Sequence, residues 1–166
     1  MARPNPVRSI MEGALPSLTY QRRKLFRPKP KDVIYAYNIL NRHIFDSQLK
    51  RPEIKLQTNL PKIWGCCHWL SQKQPSGSYC FIRLSDKWFC SQWFLNTLAH
   101  EMVHQYQWDI YRWEHLDLYD RPMFENSGAH GPSFHAWRER FEYFGLNLKL
   151  SHSQRKWFKY QDLTRC

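Results

Sequence analysis

From Asp32 onward apolar side chains return at helical intervals, with Val33, Ile34, Tyr37, Ile39, Leu40, Ile44 and Phe45 along a stretch that closes before Pro52. That spacing predicts a helix over about 31–46. Three short segments rich in β-formers follow, 53–58, 63–70 and 78–84, parted by Asn59-Leu60-Pro61 and by Gln74-Pro75-Ser76-Gly77. Turn residues between short strands predict a small antiparallel sheet. Ser85-Asp86 then precedes a run bearing Trp88, Phe89, Trp93, Phe94, Leu98, Met102, Val103 and Tyr106. This is a helix start signal followed by an apolar stripe. Residues 110–129 mix charged and aromatic types around Pro122 and Gly128 and read mostly as loop. Gly131-Pro132 predicts the opening of a third helix that runs to Phe144 and stops at Gly145.

The two ends have a different character. Five of the ten prolines fall within residues 1–30 (Pro4, Pro6, Pro16, Pro28 and Pro30), which interrupts any regular element and predicts an extended arm. Beyond the alternation of Leu146, Leu148 and Leu150 lies the basic, aromatic group Arg155-Lys156-Trp157-Phe158-Lys159-Tyr160. The expected organisation is an arm over 1–30, one folded domain over 31–148 and a tail over 149–166. A chain of 166 residues is long enough for one domain with a core, and an aromatic content of 16% excludes a wholly disordered one.

Charge sharpens the division. Residues 1–31 hold eight basic side chains, among them Arg22, Arg23 and Lys24, against Glu12 alone. Residues 149–166 hold five, among them Arg155, Lys156 and Lys159, against Asp162 alone. The intervening residues balance, so the ends carry the whole formal surplus of +11. Basic ends on a neutral body are expected to attach to a polyanion, nucleic acid being the commonest. Trp157, Phe158 and Tyr160 among their cations suit stacking on bases, and suit docking of the tail on the body equally well.

Cys66, Cys67, Cys80, Cys90 and Cys166 form an odd set with no CxxC pair, unlike a disulfide framework or a zinc ribbon. They fit a reducing, intracellular compartment. No N-terminal apolar stretch resembles a signal peptide, and no run reaches the ~18 apolar residues of a membrane span.

His100-Glu101-Met102-Val103-His104 falls within the second expected helix. Residues four apart share a helix face, so both imidazoles can reach one ion. Zinc is the expected metal, because it takes neutral imidazole, needs only tetrahedral geometry, and brings the pKa of a coordinated water to about 7. Glu101 then stands where a carboxylate can take that water's proton and later return it to the leaving amine. Leu98, Ala99, Met102 and Val103 place the motif on a buried helix, where two histidines and a glutamate are costly without a partner.

A third ligand must come from farther along. Gln105 to Tyr111 contains neither glycine nor histidine, which excludes the short metzincin arrangement. Glu125 lies at the distance where thermolysin-like enzymes place a glutamate, but between Pro122 and Gly128. His130 sits between glycines at a helix junction that would hold its ring in place, and it is preferred over Glu125. His135, a turn into the third helix, is a lesser candidate for steadying substrate; His43, His68, His115 and His152 read as surface or packing residues.

The order of helix, small sheet, Arg83-Leu84-Ser85, the Leu98 to His104 segment and His130-Gly131-Pro132-Ser133-Phe134 resembles the SprT-like metallopeptidase domain. Ile44-Phe45, Leu49, Pro52 and Trp64-Gly65 extend the likeness, which runs from about Lys31 to Gly145. The resemblance implies an α+β, zincin-like domain in which His100, His104 and His130 ligate zinc and Glu101 is catalytic. It also implies proteolysis of DNA-associated proteins, which would give the basic ends a purpose. The chain departs from the pattern in having only Cys166 where several members carry a cysteine-rich zinc ribbon, and Ala129 where a glycine is frequent. The expected function is therefore that of a zinc-dependent endopeptidase acting on protein near nucleic acid. Its rivals are a non-catalytic nucleic-acid-binding or structural protein secured by zinc, and a processing peptidase with an acidic partner.

Overall fold

The computed structural model describes residues 26–58, 60, 63–88, 91–114 and 130–148. Helix α1 spans Pro30–Ile44. Proline at its start forgoes an N–H that would have no partner there, and the Asp32 carboxylate accepts from Lys29 N–H at 2.8 Å. Its inner stripe of Val33, Ala36, Tyr37, Leu40 and Ile44 is buried.

Strands β1 (Glu53–Gln57), β2 (Gly65–Trp69) and β3 (Cys80–Ser85) make one sheet in the order β1-β3-β2. The expected antiparallel sheet is in fact mixed: β2 pairs antiparallel with β3, whereas β1 runs parallel to it, Ile54 opposite Ile82. The chain reverses twice between β1 and β3, so the two point the same way. β3 takes the centre because Cys80, Ile82 and Leu84 are all fully buried, while β1 and β2 keep half-exposed residues suited to the flanks.

Helix α2 is Ser91–Tyr106, starting later than Ser85-Asp86 had implied. Those two residues serve the preceding turn instead: Ser85 Oγ accepts from Lys87 N–H, and Asp86 accepts the Thr58 hydroxyl at 3.0 Å. Every residue of α2 from Phe94 to Gln105 is buried, so it is a central helix with no solvent face. A π-helical turn, Gln107–Tyr111, and the short α3, Arg112–Glu114, continue it into a region read as loop. In this turn Asp109 accepts from Ser78 Oγ, Tyr79 N–H and Gln105 Nε2, while Gln105 Oε1 accepts from Tyr37. One buried polar network thus ties α1, α2 and the sheet.

The third helix is broken into α4 (Pro132–His135) and α5 (Arg138–Tyr143). At the break Trp137 packs its ring 4.6 Å from Phe45 and 4.8 Å from Tyr106. Gly145, at φ +72°, ends α5, and Leu146 N–H reaches back to Phe141 O at 2.9 Å. Phe26, assigned by the sequence to the arm, exchanges both backbone hydrogen bonds with Trp88 and enters the core. No helix among the described residues is long and apolar enough to cross a membrane.

Candidate metal centre

His100 and His104 sit one turn apart on α2, and His130 approaches from the turn preceding α4. His104 Nε2 lies 3.0 Å and His130 Nε2 3.2 Å from His100 Nε2, and one nitrogen from each ring falls within 4.8 Å of the others. Phe134, fully buried, lies beneath all three rings, with centroid separations of 4.8 Å to His100, 5.1 Å to His104 and 4.6 Å to His130. The two halves of the site are thereby packed on one aromatic floor.

His104 Nδ1–H donates to Gln107 Oε1 at 2.8 Å, and Gln107 Nε2 donates to Ser133 Oγ at 2.8 Å. Because that amide oxygen only accepts, Nδ1 holds the proton and Nε2 turns a lone pair toward the other imidazoles. Burial depresses His104 to about 4, and burial followed by the neighbouring His135 also lowers His130, so both rings are neutral at physiological pH.

These residues fit a divalent metal. Zinc to nitrogen bonds of about 2.0–2.1 Å in a tetrahedron set ligand nitrogens about 3.3 Å apart. The 3.0 and 3.2 Å separations from His100 Nε2 are close to that, and all three ligand nitrogens lie within 4.8 Å of one another, so the three rings could hold one ion. Three imidazole nitrogens suit zinc and its first-row neighbours alike.

Glu101 follows the first histidine and is almost wholly buried, at 3% exposure. Burial pushes its carboxyl up to about 8, offset in part by a hydrogen bond from the Cys67 backbone on β2. Gly65, at the start of β2, makes room for it: a Cβ there would fall 3.3 Å from Glu101 Oε1 and 2.8 Å from Thr97 Cγ2.

Of the other candidates, Glu125, His115 and His152 lie outside the described residues, as do Arg22, Arg23, Lys24, Arg155, Lys156 and Lys159. His135 is half-buried and its Nδ1 contacts Arg138 at 3.1 Å, while His68 contacts Arg83 and Cys66 on the sheet. Sequence reasoning assigned no role to Gln107, Ser133, Phe134 or Gly65. Gln107 was within reach, being three residues past a ligand on a helical segment and so on its face.

No curated protein matches the chain. The SprT-like family matches residues 35–152, well over half of it, a span that takes in His100, Glu101, His104 and His130. The chain therefore belongs to the SprT-like family, whose domain is of the zincin-like metallopeptidase type.

Proposed function

We propose that this protein is a zinc-dependent endopeptidase acting on proteins associated with nucleic acid. The convergence of His100, His104 and His130, with Glu101 buried next to His100 on the same helix, is the observation that carries the reading. When bound, zinc supplies Lewis acidity, acidifying a water and polarising the scissile carbonyl. Glu101 is the general base: its carboxylate takes the proton from the attacking water and delivers it to the leaving amine. A divalent charge nearby favours the ionised form of this buried group, which burial alone disfavours. The Cys67 N–H holds the carboxylate in place from the strand side.

β2 is an outer strand of the sheet and packs beside α2. A substrate segment adding to its edge would be held by main-chain hydrogen bonds, which makes side-chain selectivity loose. Restriction then falls to the basic ends, whose surplus charge would hold the enzyme on nucleic acid and confine cleavage to proteins found there. A purely structural zinc site is the weaker reading, because closed sites generally use four protein ligands and favour cysteine. Among the described residues the cluster contains three histidines.

Glu101→Gln tests the assignment. The variant should take up zinc as the wild type does and cleave an unfolded protein substrate at least about 100-fold more slowly. Equal cleavage by the two proteins would remove Glu101 from the chemistry, and zinc uptake without cleavage by the wild type would favour the structural role.

A further inference from the structure

We propose that Gln107 is the positioning residue of this centre: it sets the tautomer of His104 and couples that ligand to the segment that carries His130. The inference rests on the metal-site reading above. Gln107 is the first residue of the π-helical turn and is fully buried. Its amide bridges two elements. Oε1 accepts from His104 Nδ1–H at 2.8 Å, and Nε2 donates to Ser133 Oγ, 26 positions onward, at 2.8 Å.

A neutral imidazole has one N–H to place. On Nε2 it would point among the converging nitrogens and block a cation; on Nδ1 it leaves Nε2 as a ligand. A buried acceptor opposite Nδ1 selects the second form, because the first would leave that oxygen facing another acceptor. The other end of the amide is anchored on α4, which also bears Phe134, the ring beneath all three histidines. One side chain therefore fixes both the protonation and the aim of a ligand from α2, relative to a ligand delivered by a separate stretch of chain. Partners of this kind orient metal-binding histidines and raise their basicity.

The metal-free 166-residue chain is titrated with zinc against a chromophoric chelator, and its cobalt(II) form is examined by visible absorption, for wild type, Gln107→Ala, Gln107→Glu and Ser133→Ala. Gln107→Ala is expected to bind zinc about 10–100-fold more weakly and to alter the cobalt spectrum. Gln107→Glu, whose carboxylate still accepts from Nδ1–H, should recover affinity close to wild type, with Ser133→Ala between. A general structural role would lower the melting temperature of the metal-free protein; a positioning role lowers the further rise on adding zinc. Wild-type affinity and spectrum in Gln107→Ala, or a Gln107→Glu protein as weak as Gln107→Ala, would overturn the proposal. If Gln107→Ala does not fold, Ser133→Ala decides: unchanged affinity and spectrum overturn it, and weakened zinc binding supports it. A wild-type protein that takes up no zinc would overturn the metal-site reading itself.

Discussion

Gly65 and Glu101 meet where strand β2 lies against helix α2: a methyl group on Gly65 would sit 3.3 Å from Glu101 Oε1, and closer still to Thr97 Cγ2 at 2.8 Å and Leu84 Cδ2 at 3.0 Å. The last two are core atoms with little freedom to yield. Gly65→Ala should therefore destabilise the fold by about 1–3 kcal/mol through overpacking. It should also slow proteolysis by more than the lost folded fraction explains, since the strand that holds the Glu101 carboxylate is pushed off the helix. Urea unfolding alongside turnover measured well below the transition would check this. Unchanged stability would show that the sheet gives way freely.

Phe134 supplies the floor on which three histidines rest. Truncation to alanine opens a cavity in a fully buried position and should cost about 3–5 kcal/mol. Phe134→Leu keeps much of the volume but loses the ring faces. It is expected to retain most of the stability while zinc affinity drops, as measured by chelator competition. Were Phe134→Leu to bind zinc as tightly as wild type, the ring would be core packing and nothing more.

The parts of this architecture legible in the sequence are those set by neighbours along the chain. The stripe of α1, the helical course of α2, the shared face of His100 and His104, and the stop at Gly145 all follow from local periodicity and backbone preference, whereas the burial of α2 on every side does not. The order of the sheet does not, because the central place of β3 goes with the burial of Ile82 and Leu84 in a core assembled from the whole domain. The interruption between α4 and α5 likewise coincides with tertiary contacts, those of Trp137 with Phe45 and Tyr106. Two of the three partners of Asp109 are Ser78 and Tyr79, about thirty positions earlier, so the network that the π-helical turn completes could not be read from its neighbours in the chain. In the site itself, the motif on α2 could be read directly. The glycine-flanked junction favours His130 over Glu125 from sequence, and its meeting with the other two rings is a tertiary fact.

Two buried groups pull the stability of the metal-free protein in opposite directions with pH. His104 is held near 4 by burial, against an ordinary value of 6.5, so the unfolded chain binds more protons in that window and stability falls as pH drops from 6.5 toward 4. Glu101 is held near 8 against 4.5, so the folded form keeps a proton the unfolded chain sheds, and stability falls as pH rises from 4.5 toward 8. Melting temperatures of chelator-treated protein should pass through a maximum between these limits. Glu101→Gln, which cannot ionise, should flatten the alkaline side, and zinc should do the same by favouring the carboxylate. An alkaline side equally steep in Glu101→Gln would assign the loss to other groups.

The basic ends make a quantitative prediction for nucleic acid. If their cations neutralise phosphates, the logarithm of DNA affinity should fall linearly with the logarithm of salt concentration, with a slope of about 0.9 for each phosphate engaged on duplex. Replacing Arg22, Arg23 and Lys24 together by glutamine should lower that slope by about one for each phosphate no longer neutralised, and likewise for Arg155, Lys156 and Lys159. Proteolysis stimulated by DNA at low salt should decline along the same curve, because the enzyme and its substrate share a scaffold only while both stay bound. Activity on an isolated unfolded peptide should meanwhile stay level in these variants, since the histidines and Glu101 are untouched. A slope indifferent to all six substitutions would move any nucleic-acid binding off the ends and onto the neutral body, where the charge balance gives no reason to expect it.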